Sequence, residues 1–239
     1  MATDLLLEAC DVSFRWPRAP TPTVETGRFA IAREERIFLY GPSGSGKSTL
    51  LGLLGGVLVP QSGTIRMLGR ELASMTPAGR DAFRVDHIGF IFQQFNLIPY
   101  LSLTDNVLLP CRFSRRRRER AIGPGGALEA EAARLLLELD LPAALHARDV
   151  TRLSVGQQQR VAAARALIGR PELVIADEPT SSLDAERQQG FIDLLLAECA
   201  ASGAALLFVS HDRRLATHFT REVSMDALNH AGIAREEAA

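Results

Sequence analysis

The chain has 239 residues, 46% hydrophobic content and a formal net charge of −1. That is enough apolar material for one large core, or a core with a subdomain, and no global basic field points to nucleic acid. Cys10, Cys111 and Cys199 are far apart, without disulfide or metal-ligand spacing, which fits buried thiols in a reducing cytosol. The opening MATDLLLEAC lacks the basic start of a signal peptide, and no apolar run approaches the ~18 residues that span a bilayer. A soluble protein is expected, with any membrane role exercised through a partner.

In chain order, the stretch to about Thr64 reads as short strands around a glycine-rich turn. RIFLY (residues 36–40) is an apolar strand, GPSGSGKST (41–49) follows it, and TLLGLLGGVLVP reads as a helix ended by Pro60. Strand, turn and helix are the context that G-x-x-x-x-G-K-[ST] requires for phosphate binding. Gly41, Pro42, Ser43, Gly44, Ser45, Gly46, Lys47, Ser48 and Thr49 are the expected phosphate-binding residues. Glycines let the N–H groups curl inward, and the helix start adds positive potential. Lys47 reaches the β- and γ-phosphates and the Ser48 hydroxyl ligates Mg²⁺. Lys47 is also the only lysine, every other basic residue being arginine. A lone compact ammonium survives where a planar guanidinium does not fit.

GTIRMLG is a further strand and turn, TPAGRDAF a short capped helix with Pro77 at its first position, and HIGFIFQ a buried strand. From Asn96 to about Arg152 the character changes to helices and loops. RRRRER (115–120) suggests either an anionic-lipid or nucleic-acid patch or a solvated helix face, and the near-neutral charge favours the face. ALEAEAARLLLELDL is amphipathic. LSVGQQQRVAAARAL (153–167) then opens a helix with a serine, a glycine and three glutamines. The strand LVIA ends in Asp177 and Glu178, a carboxylate to hold the metal and one to orient or deprotonate a water. The rest returns to strand–helix alternation, consistent with a mostly parallel α/β core.

Taken with these motifs, the sequence resembles the nucleotide-binding subunits of ATP-binding cassette transporters over almost its whole length. LSVGQ (153–157) is similar to the family signature LSGGQ, IFQQFN (91–96) to the Q-loop, SSLD (181–184) to the D-loop, FVSHD (208–212) to the switch-histidine loop, and VSFRWP (12–17) to the adenine-stacking loop. The resemblance implies a P-loop NTPase (RecA-like) core with a mostly parallel sheet, an N-terminal antiparallel β subdomain and an inserted α-helical subdomain. It makes residues 1–239 a single ATPase domain, with 1–94 and 156–239 as catalytic core and 95–155 as the helical part. It implies ATP and Mg²⁺ as ligands and ATP hydrolysis as the reaction.

The family pattern assigns Glu178, His211 and Gln93 as catalytic residues, although Gln94 has an equal claim on composition alone. It assigns Trp16 to stacking on adenine, Ser182 and Asp184 to the D-loop, and Ser48, Gln93 and Asp177 to the metal. Ser154, Val155, Gly156 and Gln157 bind the γ-phosphate of ATP held by a second copy, or by a homologous ATPase subunit, in a head-to-tail dimer. That use suits a hydroxyl, a bare N–H and the positive end of a helix starting at Gln157. Val155 departs from the pattern's glycine, and its β-branch requires an extended conformation there if the loop is to work.

FQQFNLIPYLSLTDNVLLP (92–110) resembles the segment by which such subunits dock on an integral membrane permease, in wording nearest to lipoprotein-release, macrolide-export and cell-division ATPases. Phe95, Leu97, Ile98 and Tyr100 are the expected contacts, an exposed apolar patch. The leading expectation is a cytoplasmic subunit, peripheral on the inner face of the cell membrane, powering export or extraction of a hydrophobic or amphipathic substrate, with no nucleic-acid partner. The alternatives are an ATPase of a mechanical, non-transporting complex that controls an envelope enzyme, or a soluble cassette of DNA repair or translation. The latter tend to carry a coiled-coil insertion or a second cassette, for which this chain has no room.

Overall fold

The computed structural model describes residues 4–123, 126–181 and 183–231. The strands are β1 (Leu5–Phe14), β2 (Val24–Ala32), β3 (Arg36–Tyr40), β4 (Ser62–Met67), β5 (Arg70–Glu71), β6 (Ile88–Ile91), β7 (Leu173–Asp177), β8 (Ala205–Val209) and β9 (Arg221–Ser224). The α-helices are α1 (Lys47–Leu54), α2 (Pro77–His87), α3 (Leu103–Phe113), α4 (Arg115–Ile122), α5 (Leu128–Glu138), α6 (Val155–Leu167), α7 (Ala185–Ser202) and α8 (Met225–Leu228). They gather into two compact units, residues 1–84 with 207–239, and residues 85–206.

In the first unit, β2-β1-β4-β5 form an antiparallel sheet, and the alternating burial along β1 and β2 follows their period of two. β3 pairs in parallel with β9, and the end of β8 joins β3 through the Ser210 N–H to the Leu39 carbonyl. β3 is buried along its centre because both faces are covered; Phe38 packs against Phe208 and Phe219 with ring centroids 6.3 and 5.4 Å away. Helix α1 stops at Leu54 rather than continuing to Pro60. Gly55 caps it and Gly56 turns left-handed (φ +68°), a turn that glycine adopts without steric cost. Pro77 does begin α2, with the Thr76 hydroxyl accepting the Gly79 N–H, but the helix runs on to His87.

In the second unit β6 pairs in parallel with β7, and the start of β8 joins β7 through the Ala205 N–H to the Glu172 carbonyl. Helices α3, α4, α5 and α7 pack with α6. The stripe of Ala162, Ala163 and Ala166 on α6 is buried, and a Cβ on Gly89 would lie 2.2 Å from the Ala166 carbonyl oxygen. Strand and helix therefore touch backbone to backbone at Gly89.

The solvated-face reading of the arginine run holds for Arg115, Arg116 and Arg118, which are exposed, and fails at Arg117. Arg117 is buried, its Nε donating to the Ile168 carbonyl at 2.8 Å and its Nη2 to that of Ala166. Arg116 and Arg120 meet the Glu172 carboxylate at 2.5 and 2.8 Å, and His87 Nδ1 lies 2.9 Å from its other oxygen. Burial alone would raise Glu172, but the hydrogen bonds from His87, Arg116 and Arg120 outweigh it and hold the carboxyl at about 2. A depressed carboxyl stabilises the fold above its unfolded value and loses that contribution as pH falls through the folded one. Glu172→Gln is thus expected to cost on the order of 2–3 kcal/mol at neutral pH and to flatten the stability loss of the wild type between about pH 4.5 and 2, read by urea titration at each pH.

Candidate functional site

The first unit presents the phosphate loop. Gly44 and Gly46 take φ of +79° and +96°, which bends residues 41–46 back over the start of α1. A Cβ on Gly46 would lie 2.9 Å from the Thr23 carbonyl oxygen, so only glycine fits that turn. Helix α1 has Gly46 at its N-cap, no side-chain cap and no acid in its first turn. Its first N–H groups are left for an anion. Lys47 is 6% exposed, and its Nζ donates to the Gly41 and Pro42 carbonyls at 2.9 and 2.8 Å, while Ser48 beside it is exposed.

A residue that no motif announces braces this loop. Asn229 donates to the Thr23 and Ser45 carbonyls at 3.0 and 2.9 Å and accepts the Glu25 N–H at 2.8 Å. It fastens the loop to β2 across some two hundred residues of chain, and nothing local in its neighbourhood signals this. Trp16 is 45% exposed, set edge-on to Phe14 at 5.1 Å, with its indole N–H 3.3 Å from the Thr49 hydroxyl. His211 follows β8 and is exposed; the buried Ser210 hydroxyl accepts the Asp212 N–H at 3.1 Å and tightens the turn that carries it. Asp212 itself is held below the usual carboxylate range by its hydrogen bond to the Arg214 guanidinium.

The second unit carries the carboxylates and the signature. Asp177 ends β7 half-buried, and Glu178 follows it with φ +46° just before Pro179. A left-handed glutamate is a strained conformation of the kind found at functional sites. The Ser181 N–H bonds the Glu178 carbonyl at 3.3 Å, and the Gln188 side chain donates to the Thr180 and Leu183 carbonyls, both at 3.1 Å. Asp184 caps α7 by accepting the Arg187 N–H. Ser182, the other expected D-loop residue, lies outside the described residues.

Helix α6 begins at Val155, two residues before the expected Gln157. Ser154 is its N-cap, in a capping box with Gln157: the Ser154 hydroxyl accepts the Gln157 N–H at 3.3 Å and the Gln157 side chain accepts the Ser154 N–H at 3.0 Å. Val155 has negative φ but is helical rather than extended, because an N-cap serine places the next residue in the helix. The cap uses the acceptor side of the Ser154 hydroxyl and leaves its O–H to donate. Gly156 lies in the first turn, where an added Cβ would meet nothing nearer than the Leu183 side chain at 3.5 Å.

Gln93 and Gln94 are both exposed after β6. The expected docking patch is narrower than its sequence suggests. Phe95 is only 8% exposed, turned inward at φ +58° with its N–H on the Phe92 carbonyl, so it does not belong to an exposed surface. Leu97 and Ile98 are half-buried, and Tyr100 is 79% exposed. Buried Asn106 shapes the turn, accepting the Ile98 N–H at 2.8 Å and donating to the carbonyls of Ile98, Leu101 and Ser102.

Among the described residues no cluster of three or more His, Cys, Asp or Glu could hold a metal by itself, and no helix is long and apolar enough to cross a membrane. The family profile described as ABC transporter matches residues 24–181. The chain is 36% identical over 225 residues to the lipoprotein-releasing system ATP-binding protein LolD of Hydrogenovibrio crunogenus, covering 93% of this chain and 94% of that one. It is 40% identical over 198 residues to the macrolide export ATP-binding/permease protein MacB of Rhodopirellula baltica, covering 82% of this chain but 28% of that longer protein. The dimeric post-hydrolysis structure of the ATP-binding cassette MJ0796 bound to ADP and Pi superimposes with a TM-score of 0.81 at 31% identity, over 93% of this chain and 94% of that one. A phosphate loop on an uncapped helix, an Asp–Glu pair at a strand end and a capped signature helix agree with these likenesses: the protein belongs to the ABC transporter family, as an ATP-binding cassette of the P-loop fold that hydrolyses ATP.

Proposed function

We propose that the chain is the motor subunit of a membrane export or extraction system for a hydrophobic or amphipathic substrate, closing as a dimer around two ATP. The observation that carries this is the pair of helix starts. That of α1 is uncapped and takes the phosphates of its own ATP, while that of α6 keeps the Ser154 O–H and the Gly156 N–H for the γ-phosphate on the other copy. The near-complete overlap with a lipoprotein-releasing ATP-binding protein supports the transport class.

In this reading the whole chain is one cassette with a helical part at 95–155. Lys47 and the loop N–H groups hold the triphosphate, and Trp16 stacks on the base. Ser48 and Asp177 are hard oxygen donors suited to Mg²⁺. Bound there, the ion would supply positive charge beside the phosphates. Glu178 orients and deprotonates water, with His211 and Gln93 at the γ-phosphate. Asp184 faces the second copy. Leu97, Ile98 and Tyr100 contact a permease on the inner face of the membrane, with Phe95 packed behind them.

Affinity capture of the tagged chain from detergent-solubilised membranes is expected to recover a stoichiometric polytopic membrane protein, and Tyr100→Asp to abolish that recovery. Recovery of the chain alone, or with DNA-repair or translation factors, would remove the permease reading. Trp16 provides a second check, being the only tryptophan. ATP is expected to shift its emission; an unchanged spectrum at an ATP concentration that saturates binding by calorimetry would remove the stacking role.

A further inference from the structure

Helix α6 carries more polar side chains than a phosphate contact at its first turn requires. In its last turn Arg165 donates through Nη1 to the Asn96 carbonyl at 2.7 Å and through Nη2 to that of Phe95 at 2.5 Å. Phe95 and Asn96 are consecutive left-handed residues, φ +58° and +49°, in the loop that follows Gln93. Such a turn sets two carbonyls side by side, which a planar guanidinium fork holds and a single ammonium does not.

A second side chain of the same helix has hydrogen-bonding capacity to spare. Gln159 is 0% exposed, and neither atom of its carboxamide has a partner among the described residues. Residues 159 and 166 are seven apart, about 20° from eclipsed, so they share a stripe, and Ala166 marks that stripe as the one facing β6. Because β7 follows α6 and pairs in parallel with β6, Ile91 opposite Ala176, α6 runs antiparallel to both strands. Seven helical residues, about 10 Å, correspond to about three strand residues. Counting from Gly89, Gln159 lies level with Phe92 and Gln93, and with Asp177 on β7.

We propose that α6 is the carrier of the Gln93 loop: Arg165 grips its far end, Gln159 is the buried hydrogen-bonding group beneath its start, and occupation of the α6 N-terminus by the partner's ATP thereby sets the position of Gln93 in the same chain. Arg165 and Gln159 are positioning residues, and the part concerning the partner's ATP rests on the dimer reading above. The helix that would sense the other copy's nucleotide also holds the loop that would sense its own.

The test is a double-mutant cycle on turnover combined with hydrogen exchange. Arg165→Ala is expected to lower kcat about tenfold with KM for ATP within about twofold, and Gln93→Ala to add little in that background. In a Glu178→Gln protein bound to ATP, the peptide 92–96 is expected to be protected; adding Arg165→Ala leaves the dimer intact and removes the protection. Arg165→Lys, which keeps the charge but reaches one carbonyl, falls between, and it carries the cycle if Arg165→Ala does not fold. Additive losses with unchanged protection would overturn the proposal, as would wild-type behaviour of Arg165→Lys in both measurements. Failure of the Glu178→Gln protein to dimerise with ATP would instead count against the dimer reading, and the cycle between Arg165 and Gln93 would still decide the link within one chain.

Discussion

Glu178→Gln is expected to lower ATP turnover by about 10²–10⁴-fold while ATP still binds and, on the proposed two-copy cycle, to accumulate an ATP-bound dimer. The substitution is nearly isosteric. The backbone that presents residue 178 is held by groups it does not alter: the end of β7, Pro179, the Ser181 N–H on the 178 carbonyl and the Gln188 brace on Thr180 and Leu183. What changes is the side chain's ability to accept a proton from water. A loss confined to turnover, with nucleotide affinity kept, is the signature of an interaction made only in the transition state. Phosphate release and light scattering on the same sample separate the outcomes. Normal release would remove Glu178 as the base, and lost turnover without a dimer would keep the base and remove the two-copy cycle.

What the sequence discloses and what it hides divide along range. RIFLY and the run ending in Asp177 are legible because buried parallel strands are short apolar blocks with punctuation at both ends. The phosphate loop is legible for the same local reason: its glycines, Lys47 and Ser48 are consecutive, and their chemistry is fixed by backbone conformation. Helix ends are less so. The apolar period runs past Leu54 to Pro60, yet Gly55 and Gly56 stop the helix sooner, and the Ser154–Gln157 capping box starts α6 earlier than its apolar face suggests. Arg117 and Phe95 mislead because their partners lie far away in sequence. Arg117 finds carbonyls 49 and 51 residues on, and Arg165 finds the Phe95 carbonyl 70 residues back. Asn229, 184 residues from Ser45, is beyond any local pattern. The atoms placed to meet a ligand are written locally; those that hold them in place come from folding.

Arg117→Leu is the most destabilising single change expected outside the site, about 2–4 kcal/mol by urea titration, or a fall in Tm of roughly 5–15 °C at this chain length. Two effects oppose each other. Burial pushes the Arg117 guanidinium down to about 10, so the folded state bears a cost for keeping it charged at any pH below that value, and the cost fades as pH rises above it. Leucine removes this cost. It also strips the Ile168 and Ala166 carbonyls at the end of α6 of their donor, each an orphaned acceptor worth about 1–3 kcal/mol, and takes a cation from the negative end of a helix. The surroundings leave little room to relax. A Cβ on Gly169 would lie 2.4 Å from the Arg117 carbonyl oxygen, and the Ser114 hydroxyl already caps the Arg117 N–H at 2.9 Å. Two orphaned carbonyls therefore outweigh one relieved charge. Arg118→Ala, one residue on and exposed, is expected to stay within about 0.5 kcal/mol. Equal losses in the two variants would mean that the run acts by net charge; a loss at Arg117 alone would mean that it anchors the far end of the helix whose first turn carries Ser154.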